Sequence, residues 1–223
     1  MLLLERDDQL DSLDRALRDA MAGESRIVLV SGEAGIGKTS LLERFTELRR
    51  KSAFVLWGRC ESLFTPQPLG ALYDIVDQLP RDLRELLRET TDRLTIFSSF
   101  LRELQQSAAP LIIVFEDVHW ADAATLDLLK YLGRRWKGLR AVLVLSYRDD
   151  EIDREHPLWS LLGNLPAGMI RRLPLPPLSE AAVAALAGTA ARAAPDVHRM
   201  SGGNPFFVAE LLASAEQGIP QTI

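Results

Sequence analysis

Apolar residues recur at two different periods along this chain, and the alternation between those periods predicts its elements. Leu10, Leu13, Leu17 and Met21 stand at helical spacing, so a first amphipathic helix is expected over residues 7–21, closed by Gly23. Residues 27–30 form a short, continuous apolar run, as in a buried strand. Leu41 or Leu42, Phe45 and Leu48 then mark the inner face of a second helix. Residues 53–58 predict a second buried strand, parallel to the first. Phe64, Thr65, Pro66, Gln67 and Pro68 interrupt the pattern. Two helical stretches follow, one with Leu69, Leu72, Ile75 or Val76 and Leu79, the other with Leu94, Phe97, Leu101 and Leu104. Residues 111–115 and 141–147 read as strands, the first apolar throughout, as where both faces are covered. Between them a helix is expected over 123–136, with Leu126, Leu129, Leu132 and Trp136 inward and Asp122 as its N-cap. A short helix near 157–164 and a last strand over 169–173 complete this part. Pro174, Pro176 and Pro177 then mark a boundary, because proline removes ladder donors. Beyond it the signals are helical: Ser179 capping 181–187, a short piece over 196–200, and a helix opened by Asn204 and Pro205.

Five strands alternating with helices and then a helical tail describe an α/β fold, with a parallel sheet in residues 1–176 and a small helical appendage in 177–223. At 223 residues and 47% hydrophobic composition the chain can bury a full core. Its formal charge of -5 provides no global basic field of the kind that binds nucleic acid. The single cysteine, Cys60, has no partner for a disulfide or a metal cluster and suits a reducing compartment; it reads as a small buried hydrophobe. Apolar runs are too short to span a bilayer and the N-terminus turns charged at Glu5, so the expectation is a cytoplasmic protein without membrane segment or signal peptide.

The chemistry begins at Gly32, Glu33, Ala34, Gly35, Ile36, Gly37, Lys38 and Thr39, which follow the first strand directly. The spacing Gly-x-x-x-x-Gly-Lys-Thr between a strand and a helix turns successive backbone N–H groups toward an anion. Lys38 is placed for the terminal phosphates, and Thr39, as the first residue of the helix, for a magnesium ion that bridges them. The strand over 111–115 ends in Glu116 and Asp117, the arrangement in which a first acid holds the metal and a second polarises the attacking water. Arg148 falls at the carboxyl end of a strand, where open α/β sheets contact their ligands; alternatively it pairs with Asp149 or Asp150 on the surface. Trp120 reads as a packing residue, and His119 has no partner at a metal or nucleophile spacing. Arg134, Arg135 and Lys137 read as a solvated helix end.

Together, residues 32–39, 114–122, 146–151 and 203–207 resemble the AAA-type ATPase module of large LuxR-type transcriptional regulators, NACHT-like members of the STAND class of signalling ATPases. The resemblance covers nearly the whole chain and implies a P-loop NTPase with a five-stranded parallel sheet of order 5-1-4-3-2, flanked by helices and followed by a helical lid. It implies ATP or ADP and Mg2+ as cofactors, held by the loop and Ser40, with Thr39 and Glu116 on the metal. Lys38, Glu116, Asp117 and Arg148 would be the catalytic set, Arg148 sensing the γ-phosphate. Arg6 would lie near the adenine pocket and Pro205 would pack near the adenine from the lid. The metal-side acid is commonly Asp in this class, and Glu116 departs from it. The implied function is a slowly hydrolysing ATP switch, self-associating, with DNA bound only through a domain beyond Ile223. On that reading the chain is a fragment ending about where the lid hands over to the next domain. A non-hydrolysing oligomerisation scaffold and a P-loop phosphotransferase remain as alternatives.

Overall fold

The computed structural model describes residues 3–63, 65, 67–79, 81–89, 92–188 and 194–216. The chain runs through α1 (Asp7–Met21), β1 (Arg26–Ser31), α2 (Lys38–Arg49), β2 (Phe54–Arg59), α3 (Gly70–Val76), α4 (Arg81–Glu89) and α5 (Arg93–Gln106). It continues through β3 (Leu111–Glu116), α6 (Ala123–Arg135), β4 (Ala141–Tyr147), α7 (Pro157–Asn164) and β5 (Ile170–Pro174), then α8 (Glu180–Ala187), α9 (Ala194–Ser201) and α10 (Pro205–Glu216). The strands form one parallel sheet of order β2-β3-β4-β1-β5, the order the resemblance implies read from its other edge.

Alternation along the central strands divides the core. Ile27, Leu29, Ile113, Phe115, Leu143 and Leu145 face one way and pack with α3, α5, α6 and α7. Val28, Val30, Ile112, Val114, Val142 and Val144 face the other way, against Leu13 and Leu17 of α1 and Leu41, Leu42 and Phe45 of α2. Both faces are therefore dry, which is why these strands read as unbroken apolar runs. Leu178, Ala182, Val183, Ala194, Val197 and Val208 gather in a separate cluster after the proline boundary, with Leu4 of the N-terminal segment packed on it.

Caps fix where the helices start. Asp122 accepts from Ala124 N at 2.9 Å and Thr125 N at 3.0 Å, as expected, and also from Leu69 N at 3.2 Å, so one carboxylate anchors both α6 and the approach to α3. Ser179 caps α8 through Ala182 N at 3.2 Å.

The structure corrects several inward assignments. Leu48 is 46% exposed, Leu94 66% exposed, and Met21 also faces solvent. Strand β2 is an edge strand with Phe54 exposed rather than a strand buried on both faces. Helix α4, carrying the buried Leu83 and Leu87, escaped the sequence reading. Helix α2 begins at Lys38, one residue before Thr39. Phe64, Pro66 and the terminal stretch from Gly218 to Ile223 lie outside the described residues.

Candidate functional site

The loop between β1 and α2 turns through positive φ at Gly35 (75°) and Gly37 (97°), conformations that cost L side chains energy. Lys38 is buried, and its Nζ donates to the loop's own carbonyls, Gly32 O at 2.7 Å and Glu33 O at 2.9 Å. Burial pushes the ammonium below the usual lysine range, while Asp117 pulls it back up. Ile36 is buried beneath the loop.

At the end of β3, Glu116 sits beside Thr39, whose Oγ1 donates to Glu116 Oε1. The other carboxylate oxygen accepts from Trp57 Nε1 at 3.2 Å and Arg59 Nε at 3.1 Å, both from the edge strand. The next residue, Asp117, takes a left-handed conformation (φ 54°), and its N–H donates to Ser146 Oγ at 3.0 Å. Burial, with Glu116 alongside, raises the Asp117 carboxyl above the ordinary aspartate range. Among the described residues no cluster of three or more His, Cys, Asp or Glu is placed to hold a metal. The converging oxygens of Thr39 and Glu116 nevertheless fit magnesium, which takes few protein ligands and the rest from phosphate and water.

Arg148 follows β4. Its guanidinium lies 4.4 Å above the Trp120 ring and bonds Glu151, not Asp149 or Asp150. Trp120 is thus more than a packing residue. His119, which has no partner at a metal or nucleophile spacing in the sequence, is buried, packs at a tilt with its centroid 4.6 Å from that of Trp120 and accepts the Arg148 N–H at 3.4 Å through Nδ1.

The helical segment after the proline boundary reaches the same loop. Asn204 Nδ2 donates to Ala34 O at 2.8 Å, and Phe206 N donates to Gly35 O at 3.3 Å. Asn204 Oδ1 meanwhile caps α10 through Phe206 N at 3.1 Å. A Cβ on Gly35 would stand 2.7 Å from Phe206 Cβ, so only glycine lets the helix approach this closely. A cleft of about 370 Å³ results, lined by Gly35, Gly37, Lys38, Thr39, Ser40 and Asp117 on one side and by Arg148, Pro205, Phe206 and Ala209 around it. Arg6 does not line it: its buried guanidinium donates to Ile36 O at 3.2 Å and Pro176 O at 2.9 Å, tying the loop to the approach to the lid. Trp57 and Arg59 belong to no sequence motif; Ser146 and Glu151 fall within the 146–151 block, but only Arg148 was given a role there.

A parallel sheet of this order, with a glycine-rich loop and lysine after β1 and an acidic pair after β3, defines a P-loop nucleotide-binding protein. The chain belongs to the AAA ATPase domain family, which matches residues 2–145. Over 99% of its length it is 24% identical to an uncharacterized protein of Rhizobium meliloti (strain 1021). It spans only 26% and 35% of the length of the curated relatives it matches. The fold resembles that of Drosophila ORC bound to DNA, with a TM-score of 0.66 and 16% identity over 96% of this chain and 61% of that one. It also resembles a Signal Transduction ATPase with Numerous Domains (STAND) protein with a tetratricopeptide repeat sensor from Pyrococcus horikoshii. There the TM-score is 0.58, with 20% identity over 94% of this chain and 30% of that one. Among the described residues no helix is long and apolar enough to cross a membrane.

Proposed function

We propose that this chain is an ATP-binding, slowly ATP-hydrolysing switch module of a larger cytoplasmic signal-transducing regulator of the LuxR type. The observation that carries the reading is the direct docking of α10 on Ala34 and Gly35, because one loop then meets both the lid, through its carbonyls, and the nucleotide phosphates, through its N–H groups. Residues 1–176 act as the ATPase core and 177–223 as the lid. The backbone from Gly32 to Thr39, with Ser40, cradles the phosphates, and Lys38 exchanges its carbonyl partners for them. Thr39 and Glu116 would hold Mg2+, which would supply charge neutralisation at the phosphates. Asp117, its carboxyl held above the ordinary aspartate range by burial and by Glu116, orients and deprotonates the attacking water. Arg148 meets the γ-phosphate, Pro205 flanks the adenine, and Arg6 braces the loop from beneath. Self-association transmits the switch, and DNA is contacted only through a segment outside this chain.

One observation favours a non-hydrolysing scaffold instead: Glu116 already has Thr39, Trp57 and Arg59 as donors, and this grip opposes its reorientation toward a metal. Phosphate release from Mg2+ and ATP decides between them. The switch requires slow release that Lys38→Ala abolishes and that Asp117→Asn reduces about 100-fold while leaving ATP affinity within about threefold. Release unchanged by Lys38→Ala would overturn the proposal, and binding without any release would select the scaffold.

A further inference from the structure

Arg148 lines the cleft together with Lys38, Thr39 and Asp117, yet what fixes its side chain lies outside the cleft's lining. Glu151 accepts its Nη1, the Trp120 indole lies beneath its guanidinium at 4.4 Å, and Trp120 Nε1 donates to the other oxygen of Glu151 at 3.1 Å. These contacts close a ring of guanidinium, carboxylate and indole, so each member restrains the other two. The backbone is pinned as well, since the Arg148 N–H points at His119 Nδ1. That bond makes Nε2 the protonated nitrogen of a neutral ring. Nε2 stands 3.4 Å from Glu151 Oε2 but makes no hydrogen bond among the described residues, in a side chain only 1% exposed.

We propose that Trp120 and Glu151 are positioning residues that hold Arg148 at the cleft wall and thereby set how strongly the site prefers a nucleoside triphosphate over a diphosphate. The inference rests on the ATP-site reading above. A γ-phosphate must compete with the Glu151 carboxylate for the same guanidinium, whereas a diphosphate places no group there and leaves the ring closed. Trp120 keeps its face to the cation while the carboxylate is in place, and it loses that contact when the arginine turns to phosphate.

The test is a set of dissociation constants for ATP and ADP with Mg2+, measured on the wild type, Glu151→Gln, Arg148→Ala and the double variant. Glu151→Gln removes the competing charge at nearly constant shape. It is expected to raise ATP affinity about threefold to tenfold, the scale of one partly exposed charged hydrogen bond, with ADP affinity within about twofold. In the Arg148→Ala background the same change is expected to do nothing, because its effect passes through the arginine. The part of the tryptophan emission that Trp120→Phe removes should respond to ATP and not to ADP. Equal shifts for both nucleotides, no shift, or the same shift without Arg148 would overturn the holder. Nucleotide binding that ignores Lys38→Ala would remove the ATP-site reading and the holder with it. Lys38-dependent binding with an unchanged ATP-to-ADP ratio would remove the holder alone.

Discussion

The ionisable side chains at the ends of β3 and β4 are where single residues carry the most weight. Lys38 and Thr39 are legible in the sequence because loop chemistry fixes their spacing, and Glu116 and Asp117 because they end an apolar strand in a chain that also carries that loop. Trp57 and Arg59 are not, because they reach Glu116 across 59 and 57 residues, a juxtaposition created only when β2 pairs with β3. His119 offered no partner spacing in the sequence, and its burial and its place as a strut for Arg148 emerge only in the fold. Its burial lowers the imidazole to about 4, against an opposing pull from Glu151 and with Arg148, Lys38 and His156 adding to the lowering; Asp117 Oδ1 lies 4.0 Å away. An unfolded histidine titrates near 6.5, so between about pH 6.5 and 4 the unfolded chain takes up a proton that the native state refuses. Stability therefore falls as pH drops through that window, by at most about 3 kcal/mol from this group, and the contribution is fully present above pH 6.5. Urea midpoints of His119→Asn should show a flatter slope from pH 6.5 to 4.5 than those of the wild type; an unchanged slope would contradict the assignment.

At the scale of elements, the start of α10 is the joint between lid and loop. Asn204 caps that helix and bonds Ala34 O, so Asn204→Ala removes both and is expected to cost about 1–2 kcal/mol, read as a lowered denaturation midpoint. The sequence disclosed the cap, since Asn before Pro is a local signal, but not the loop contact, which spans 170 residues. The same distinction explains the misassigned faces. Periodicity located α2 and α5 well, yet Leu48 and Leu94 sit at the borders of their apolar stripes, and only the neighbouring elements decide which border residues are covered. Strand β2 carries an apolar run like the central strands, but at the sheet edge one flank has no strand to cover it. Helix α4 hid behind its charge: Leu83 and Leu87 stand among Arg and Glu, a narrow stripe in a polar segment.

For the whole molecule, alternation of strands and helices gave the α/β class directly. The strand order came from the resemblance, because periodicity does not say that β1 inserts between β4 and β5. The lid's separate core, with Leu4 packed on it and Glu5 accepting Ser179 N at 2.8 Å, makes the N-terminal segment a third partner of the loop and lid. In the proposed switch, nucleotide identity would pass to the rest of the molecule through α10. The most direct test is amide hydrogen exchange of residues 204–216 in the wild type and Lys38→Ala, without nucleotide and with saturating ATP or ADP. A switch that works through the lid requires ATP and ADP to give different protection of α10 in the wild type and no difference in Lys38→Ala. Identical exchange of α10 in all nucleotide states, with the loop at 32–39 protected by both nucleotides, would contradict it.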